Sequence, residues 1–156
     1  MSRWLTDEQQ AVWRSWIEAG SMLNHRLGAD LQRQHDLTLV DYEILVQLSE
    51  HPERRMRMSD LAQATLASRS RLTHQVDRLV KRGLIERQEC AHDRRGSFAV
   101  LTDEGWQAIV TAAPDHVDSV RQYLVDPLSP EELATLGKAC QLITDRMRQD
   151  TCEQDS

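Results

Sequence analysis

A run of polar side chains between Arg69 and Gln75 has the chemistry needed to read DNA bases. Its members are Arg69, Ser70, Arg71, Thr73, His74 and Gln75, directly after Ser68. Arginine can donate two hydrogen bonds to guanine, glutamine can bond adenine in the same bidentate way, and serine or threonine suits bases or phosphates. A helix fits the major groove and meets base edges with its first turns. We therefore predict that these residues, together with Ser68 and Arg78, contact DNA, although arginines on any single helix are also typical of a solvated face.

A second basic group, Asp93-Arg94-Arg95, stands in a polar stretch further along the chain. Asp93 can pair with a nearby arginine and stiffen the loop, which leaves Arg94 or Arg95 free to enter the minor groove. Narrow minor grooves concentrate negative potential and attract arginine. The tripeptide alone is equally typical of a solvated turn. The predicted minor-groove contact therefore rests on the position of the tripeptide between two strand patterns.

The elements that would position these groups follow one another in an informative order. Ser68 can cap a helix whose apolar side is Leu72, Val76, Leu79 and Val80, and Gly83 ends it, because glycine accepts the left-handed conformation at helix ends. A short helix starting at Ser59 precedes it. Short strands at 84–87 and 97–101 follow and predict a hairpin. Short helix, capped helix and hairpin in this order predict a winged helix-turn-helix.

Helical patterns flank this core on both sides. Thr6 with Gln9, Thr38 with Asp41, and Ser129-Pro130 with Glu132 are start signals, and Thr102 caps a further helix. We predict a mainly α fold with a small two- to three-stranded β-wing. A single domain over 1–156 would comprise an N-terminal dimerisation helix (6–37), the winged core (38–101) and C-terminal dimerisation helices (102–150), with residues after 150 frayed.

The charge of the chain is distributed unevenly. The whole chain has a formal net charge of -6, yet the segment from Glu53 to Arg95 has eleven basic and six acidic residues, which leaves -11 for the remainder. A basic segment on an acidic body favours a polyanionic partner bound at that segment.

Other classes of function find little support in the sequence. The three cysteines are widely separated, which suits a reducing cytoplasm, and no stretch has the length and apolarity of a membrane span. Cys90-x-His92 lacks a second pair at zinc spacing, and no nucleophile or phosphate-loop motif occurs, so we expect neither a cofactor or metal nor an enzyme. Cys90 is the one candidate for redox chemistry, with an inert thiol as the favoured alternative.

The chain resembles the MarR family of bacterial transcriptional regulators. The resemblance is carried by Met58-Ser59-Asp60-Leu61-Ala62, by Val76-Asp77-Arg78-Leu79, by Arg82-Gly83-Leu84-Ile85-Glu86-Arg87, and by Asp93-Arg94-Arg95 running on to Leu101-Thr102 and Gly105. Ala99 departs from the pattern, since the family usually has a larger aliphatic residue there.

The resemblance implies an obligate homodimer that binds double-stranded DNA with a pseudo-palindromic operator. It also implies a repressor that releases DNA when a small, often aromatic and anionic, ligand binds between the dimer helices and the winged core. Trp13, Trp16, His25 and Tyr42 are the candidate ligand residues, although tryptophans at helical spacing are more often core or dimer interface. The alternative is a winged-helix interaction or sensor module that does not read DNA.

Overall fold

The computed structural model describes residues 4–90 and 93–154, and their side chains except at positions 90, 93–95 and 150–154. Its elements in chain order are α1 (Asp7–His35), α2 (Leu39–Glu50), β1 (Arg55–Arg57), α3 (Met58–Ala64), α4 (Arg69–Lys81), β2 (Ile85–Cys90), β3 (Asp93–Leu101), α5 (Asp103–Val120), a π-helical turn (Arg121–Val125) and α6 (Pro130–Gln154). This mainly helical fold with one small sheet confirms the predicted winged helix-turn-helix.

The predicted helix starts carry the expected side-chain hydrogen bonds. The Thr6 hydroxyl accepts from the Gln9 amide at 3.2 Å while the Thr6 amide donates to the Gln9 side chain at 3.0 Å. Thr38 and Asp41 form the same reciprocal pair at 3.1 Å in each direction. These caps satisfy amides that the first helical turn leaves without partners, which is why they could be predicted from local sequence.

Two helix boundaries differ from the prediction. Helix α3 begins at Met58 rather than Ser59, and Arg57 occupies its N-cap position without a side-chain cap bond. Strand β1 ends at Arg57 and leads directly into the helix, so extended backbone and not a serine cap sets the boundary. The backbone of α6 stays helical through Gln154, beyond the predicted end near residue 150.

The sheet is antiparallel, with strand order β1-β3-β2. In the wing hairpin Arg87 faces Ala99 and Gln88 faces Phe98, and on the other side of β3 Met56 also pairs with Ala99. Ala99 is therefore in the central strand and is fully buried. Strand β1 was not predicted, because three residues carry too little alternation to be recognised.

The core lies in a compact unit of residues 1–117; residues 118–156 form a second unit. Its buried apolar side chains come from α1 through α5, and the fully buried ones include Ile44, Leu45, Leu48, Leu61, Val76 and Leu79. Leu72, Val76 and Leu79 fix the inner side of α4, so its other side is left for solvent or a partner. Among the described residues, no helix has both the length and the apolarity that crossing a membrane requires.

Candidate nucleic-acid interface

Helix α4 presents most of the predicted DNA-binding residues on one exposed surface. Its N-cap is Ser68, whose hydroxyl accepts a hydrogen bond from the Arg71 amide at 3.3 Å. The exposed residues of its first two turns are Arg69, Ser70, Arg71, Thr73 and His74. Two arginines, two hydroxyls and an imidazole in this arrangement can bond both phosphate oxygens and base edges.

Two other predicted DNA-contacting residues of α4, Arg78 and Gln75, interact with the protein itself. Arg78 donates to the Asp41 carboxylate on α2 at 3.0 Å, and Asp41 is completely buried. Gln75 is half-buried, and its amide oxygen is buried without a hydrogen-bond donor among the described residues. It lines a cavity of about 140 Å³ with Glu43 of α2 and Arg71. Burial raises the pKa of the Glu43 carboxyl.

A second ion pair joins α4 to the wing. Arg87 of β2 donates to the Asp77 carboxylate at 2.9 Å and also reaches the Thr73 carbonyl oxygen at 3.4 Å. Asp77 and Arg78 are neighbours in sequence, so one turn of α4 is tied to the wing on one side and to α2 on the other. The bonds hold the helix in a fixed orientation relative to both elements.

A basic cleft of about 340 Å³ lies between the start of α4 and the base of the wing. Its polar lining consists of Arg57, Ser59, Arg69, Thr73, Arg87 and Ser97. Three guanidinium groups and three hydroxyls suit a phosphate group, since arginine binds phosphate oxygens with charge-assisted hydrogen bonds. Arg57, Ser59, Arg87 and Ser97 were not predicted as site residues; the excess of arginine in the 53–95 segment pointed to Arg57 and Arg87 only in general terms, and no sequence signal pointed to the two serines.

The base of the wing is fixed by the first turn of α5. The Thr102 hydroxyl donates to the Gly83 carbonyl oxygen at 2.7 Å and accepts from the Gly105 amide at 3.0 Å. The Thr102 amide donates to the Leu84 carbonyl oxygen at 3.2 Å. A Cβ atom on Gly105 would overlap that same carbonyl oxygen, which explains why glycine occupies this position.

The predicted wing tip is described only in its backbone. The backbone of Asp93, Arg94 and Arg95 belongs to β3, but their side chains lie outside the described residues, as does the side chain of Cys90. Their predicted contacts with the minor groove, and the stiffening role of Asp93, therefore stay predictions.

The four candidate ligand residues do not come together in one chain. Trp13, Trp16 and His25 are exposed along α1, and His25 lies nine positions after Trp16, about 14 Å further along the helix axis. Tyr42 is instead buried on α2, where its ring lies 4.4 Å from that of His116 on α5. Burial raises the pKa of Tyr42, helped by the charge of Glu50, and burial lowers the pKa of His116.

A further contact joins α1 to α5 beside this aromatic pair. His35 of α1 bonds the carboxylate of Asp115, the neighbour of His116, at 2.8 Å. Neither contact was predicted, since the partners are about 75 to 80 residues apart in the chain. No group of three or more metal-binding side chains occurs among the described residues.

Comparison with known proteins identifies relatives of this fold. A family model described as the MarR family matches residues 35–96. The fold is similar to that of AbsC, a MarR family transcriptional regulator from Streptomyces coelicolor, with 49% identity, a TM-score of 0.89, and coverage of 95% of this chain and 99% of that one.

Two further relatives agree with this comparison. Sco3205, a MarR family regulator from the same organism, has been solved in complex with DNA; it is 46% identical with a TM-score of 0.89, over 93% of this chain and 91% of that one. The transcriptional regulator HosA of Escherichia coli is 31% identical over 97 residues, which are 62% of this chain and 70% of HosA. These relatives are transcriptional regulators and not enzymes.

Proposed function

The chain belongs to the MarR family of transcriptional regulators, and we propose that it acts as a homodimer that binds a pseudo-palindromic operator and represses transcription. The observation that carries DNA binding is the exposed start of α4 beside the arginine-lined cleft. The DNA complex of Sco3205 supports the same partner for this chain.

In this proposal the base contacts and the phosphate contacts come from different residues. Arg71, His74 and Ser70 would face base edges from the exposed side of α4. Arg69 lines the cleft with Arg57 and Arg87, so these three would hold the phosphate backbone. Phosphate contacts set the orientation of the protein on the duplex, and base contacts select the sequence. Arg94 and Arg95 would add minor-groove contacts from the wing.

The dimer is proposed from exposed apolar surface at both ends of the chain. On α1, Trp13, Trp16 and Ile17 recur at helical spacing and are about half exposed; on α6, Leu142 and Ile143 are more than half exposed. Exposed apolar side chains at helical spacing, as on each of these helices, are typical of an interface with another protein chain. Two copies would present two α4 helices about 34–36 Å apart, which matches half-sites one DNA turn apart.

Repression is proposed because a dimer bound in two adjacent major grooves would sterically exclude other DNA-binding proteins from the same stretch of duplex. Release of DNA by a small aromatic, anionic ligand stays a prediction, since Trp13, Trp16 and His25 are spread along α1 and do not form one pocket with Tyr42 in a single chain.

Selection of bound fragments from random double-stranded DNA tests this proposal. The wild-type chain should enrich two inverted half-sites with centres about 10 base pairs apart. The Arg69→Ala/Arg71→Ala double variant is the matched control and should enrich none, because both substitutions are on exposed positions that leave the core intact. If the wild-type chain enriches no sequence, the protein is not a sequence-specific DNA-binding regulator.

A further inference from the structure

Leu66 occupies a position that favours leucine neither by burial nor by backbone conformation. It follows α3 and precedes Ser68, and its side chain is 94% exposed. Its φ angle is 52°, in the left-handed region that is unfavourable for a bulky residue. A single exposed leucine is ordinary on a protein surface, but one that is also held in a left-handed conformation is not.

The hydrogen bonds of this turn show which residue type the backbone prefers. The Leu66 amide donates to the Gln63 carbonyl oxygen and the Ala67 amide donates to the Ala62 carbonyl oxygen, at 3.3 Å and 3.0 Å. The end of α4 repeats the same two bonds with Gly83, of φ 74°, in the equivalent position. Glycine occupies such positions because it has no Cβ penalty. Leucine at position 66 thus lowers stability without a packing contact in return.

The neighbours of Leu66 indicate what its side chain faces. It shares one surface depression with Ser68 and Arg69 and borders another that contains Arg71 and Gln75. It is therefore an apolar group between the proposed phosphate-binding and base-reading side chains. A partner that fits these neighbours combines negative charge with an apolar group. DNA that contains thymine has both, because its phosphates are anionic and the 5-methyl group of thymine lines the major groove.

We propose that Leu66 is a specificity-determining residue that contacts a thymine methyl group in each half-site, a role that rests on the proposed DNA-binding function. The contact would select thymine over cytosine at one position by apolar burial, in addition to hydrogen bonds from α4. The contact on DNA would offset the conformational cost of a leucine at this position.

Replacement of single thymidines by deoxyuridine in the selected operator tests the contact, since it removes only the 5-methyl group. With the wild-type chain, affinity should fall about threefold to tenfold at one thymidine in each half-site, the size expected for one buried methyl group. Leu66→Gly should bind the thymidine operator more weakly by a similar factor and should no longer distinguish deoxyuridine there. Leu66→Met, which keeps an apolar side chain, should retain the discrimination.

Thermal unfolding of the same variants separates this contact from a structural role. Leu66→Gly should unfold at a higher temperature than the wild-type chain, because glycine fits the left-handed turn. Weaker DNA binding from a more stable protein supports the proposal. Unchanged discrimination in Leu66→Gly, or an equal loss of affinity on thymidine and deoxyuridine operators, overturns it. If the wild-type chain selects no DNA at all, the proposed function fails as well, so the two failures are distinguishable.

Discussion

The buried carboxylate of Asp41 on α2 accepts a 3.0 Å hydrogen bond from the guanidinium of Arg78 on α4. The same oxygen accepts a hydrogen bond from the Thr38 amide at 3.1 Å, so one atom both caps α2 and anchors α4. Arg82, one turn later, lies 3.9 Å from this carboxylate and 3.5 Å from Asp36. The end of α4 is thus held where α1 passes into α2, and its start is left exposed for DNA.

Arg78→Ala should destabilise the protein by about 2 kcal/mol, because it removes the charge-assisted hydrogen bond to the buried Asp41 carboxylate and leaves only Arg82, at 3.9 Å, as a cationic neighbour. Chemical denaturation of purified protein measures this loss. Arg121→Ala is the control, since Arg121 and Asp126 also form a 2.9 Å pair but are both more than half exposed. That substitution should cost less than about 1 kcal/mol. Equal losses in the two variants would show that burial of Asp41 does not matter.

Gly105→Ala should destabilise the wing base by about 3 kcal/mol, since the added methyl group overlaps backbone that cannot move freely. The Leu84 carbonyl oxygen and the Leu101 side chain are the atoms it would meet. Gly137→Ala in α6 is the matched control, because nothing lies within 4 Å of a Cβ atom there. It should stabilise the helix by up to about 1 kcal/mol. A neutral Gly105→Ala would contradict the close packing of α5 on the α4–β2 turn.

Acid should destabilise the protein through His116. Burial lowers the pKa of His116 below its ordinary value of 6.5, so between the two values the unfolded chain binds more protons than the folded chain. Stability is therefore fully present above pH 6.5 and is lost as the pH falls from 6.5 towards the folded pKa. His116→Gln should flatten this part of the curve of unfolding free energy against pH. His25→Gln, at an exposed position of α1, is the matched control for loss of one histidine from the surface. A wild-type curve that is level across this range would refute the role assigned to His116.

What could be predicted from the sequence depended on the distance along the chain over which each contact acts. Helix caps such as Thr38 with Asp41 join residues three apart, and the glycine at position 83 is required by its own φ angle, so both were predicted correctly. The break between α3 and α4 near Leu66 was also predicted, although leucine is an unfavourable residue type for the φ angle of this turn.

The orientation of α4 residues could not be predicted because their partners are far away in sequence. The contact of Arg78 with DNA was predicted from residue type and spacing, whereas its bond to Asp41, 37 residues earlier, could not be predicted from local sequence. Strand β1 pairs with β3 across more than 40 residues, and only that pairing brings Arg57 to the cleft that Arg69 and Arg87 line. Helix α4 itself was predicted from the helical spacing of its apolar residues.

Arg71→Ala and Arg69→Ala should weaken DNA binding in different ways. Arg71→Ala should relax the preference at one base-pair position of each half-site by about 1–3 kcal/mol, as expected when a bidentate bond to a base is removed. Arg69→Ala should weaken binding to all sequences and reduce the slope of log affinity against log salt by about 0.9 for each phosphate that the variant no longer neutralises. Binding titrations on a single-substitution operator library at several salt concentrations distinguish the two. If the effects are exchanged, Arg71 holds the backbone and Arg69 reads the base.

Ile143→Asp should convert a dimer into monomers, because it places a charge at the centre of the exposed apolar surface of α6. Removal of apolar surface and burial of an unpaired carboxylate should together cost at least about 3 kcal/mol, or more than a hundredfold in the dimer dissociation constant. Sedimentation velocity over a range of protein concentrations measures this shift. Lys138→Asp, at an exposed polar position of the same helix, changes charge without removing apolar surface and should remain dimeric.

The Ile143→Asp monomer should also bind the full operator more weakly, because the proposed dimer holds two α4 helices one DNA turn apart. Its affinity for a single half-site should equal that of one wild-type subunit. A wild-type chain that sediments as a monomer at all concentrations would remove the basis for the palindromic operator.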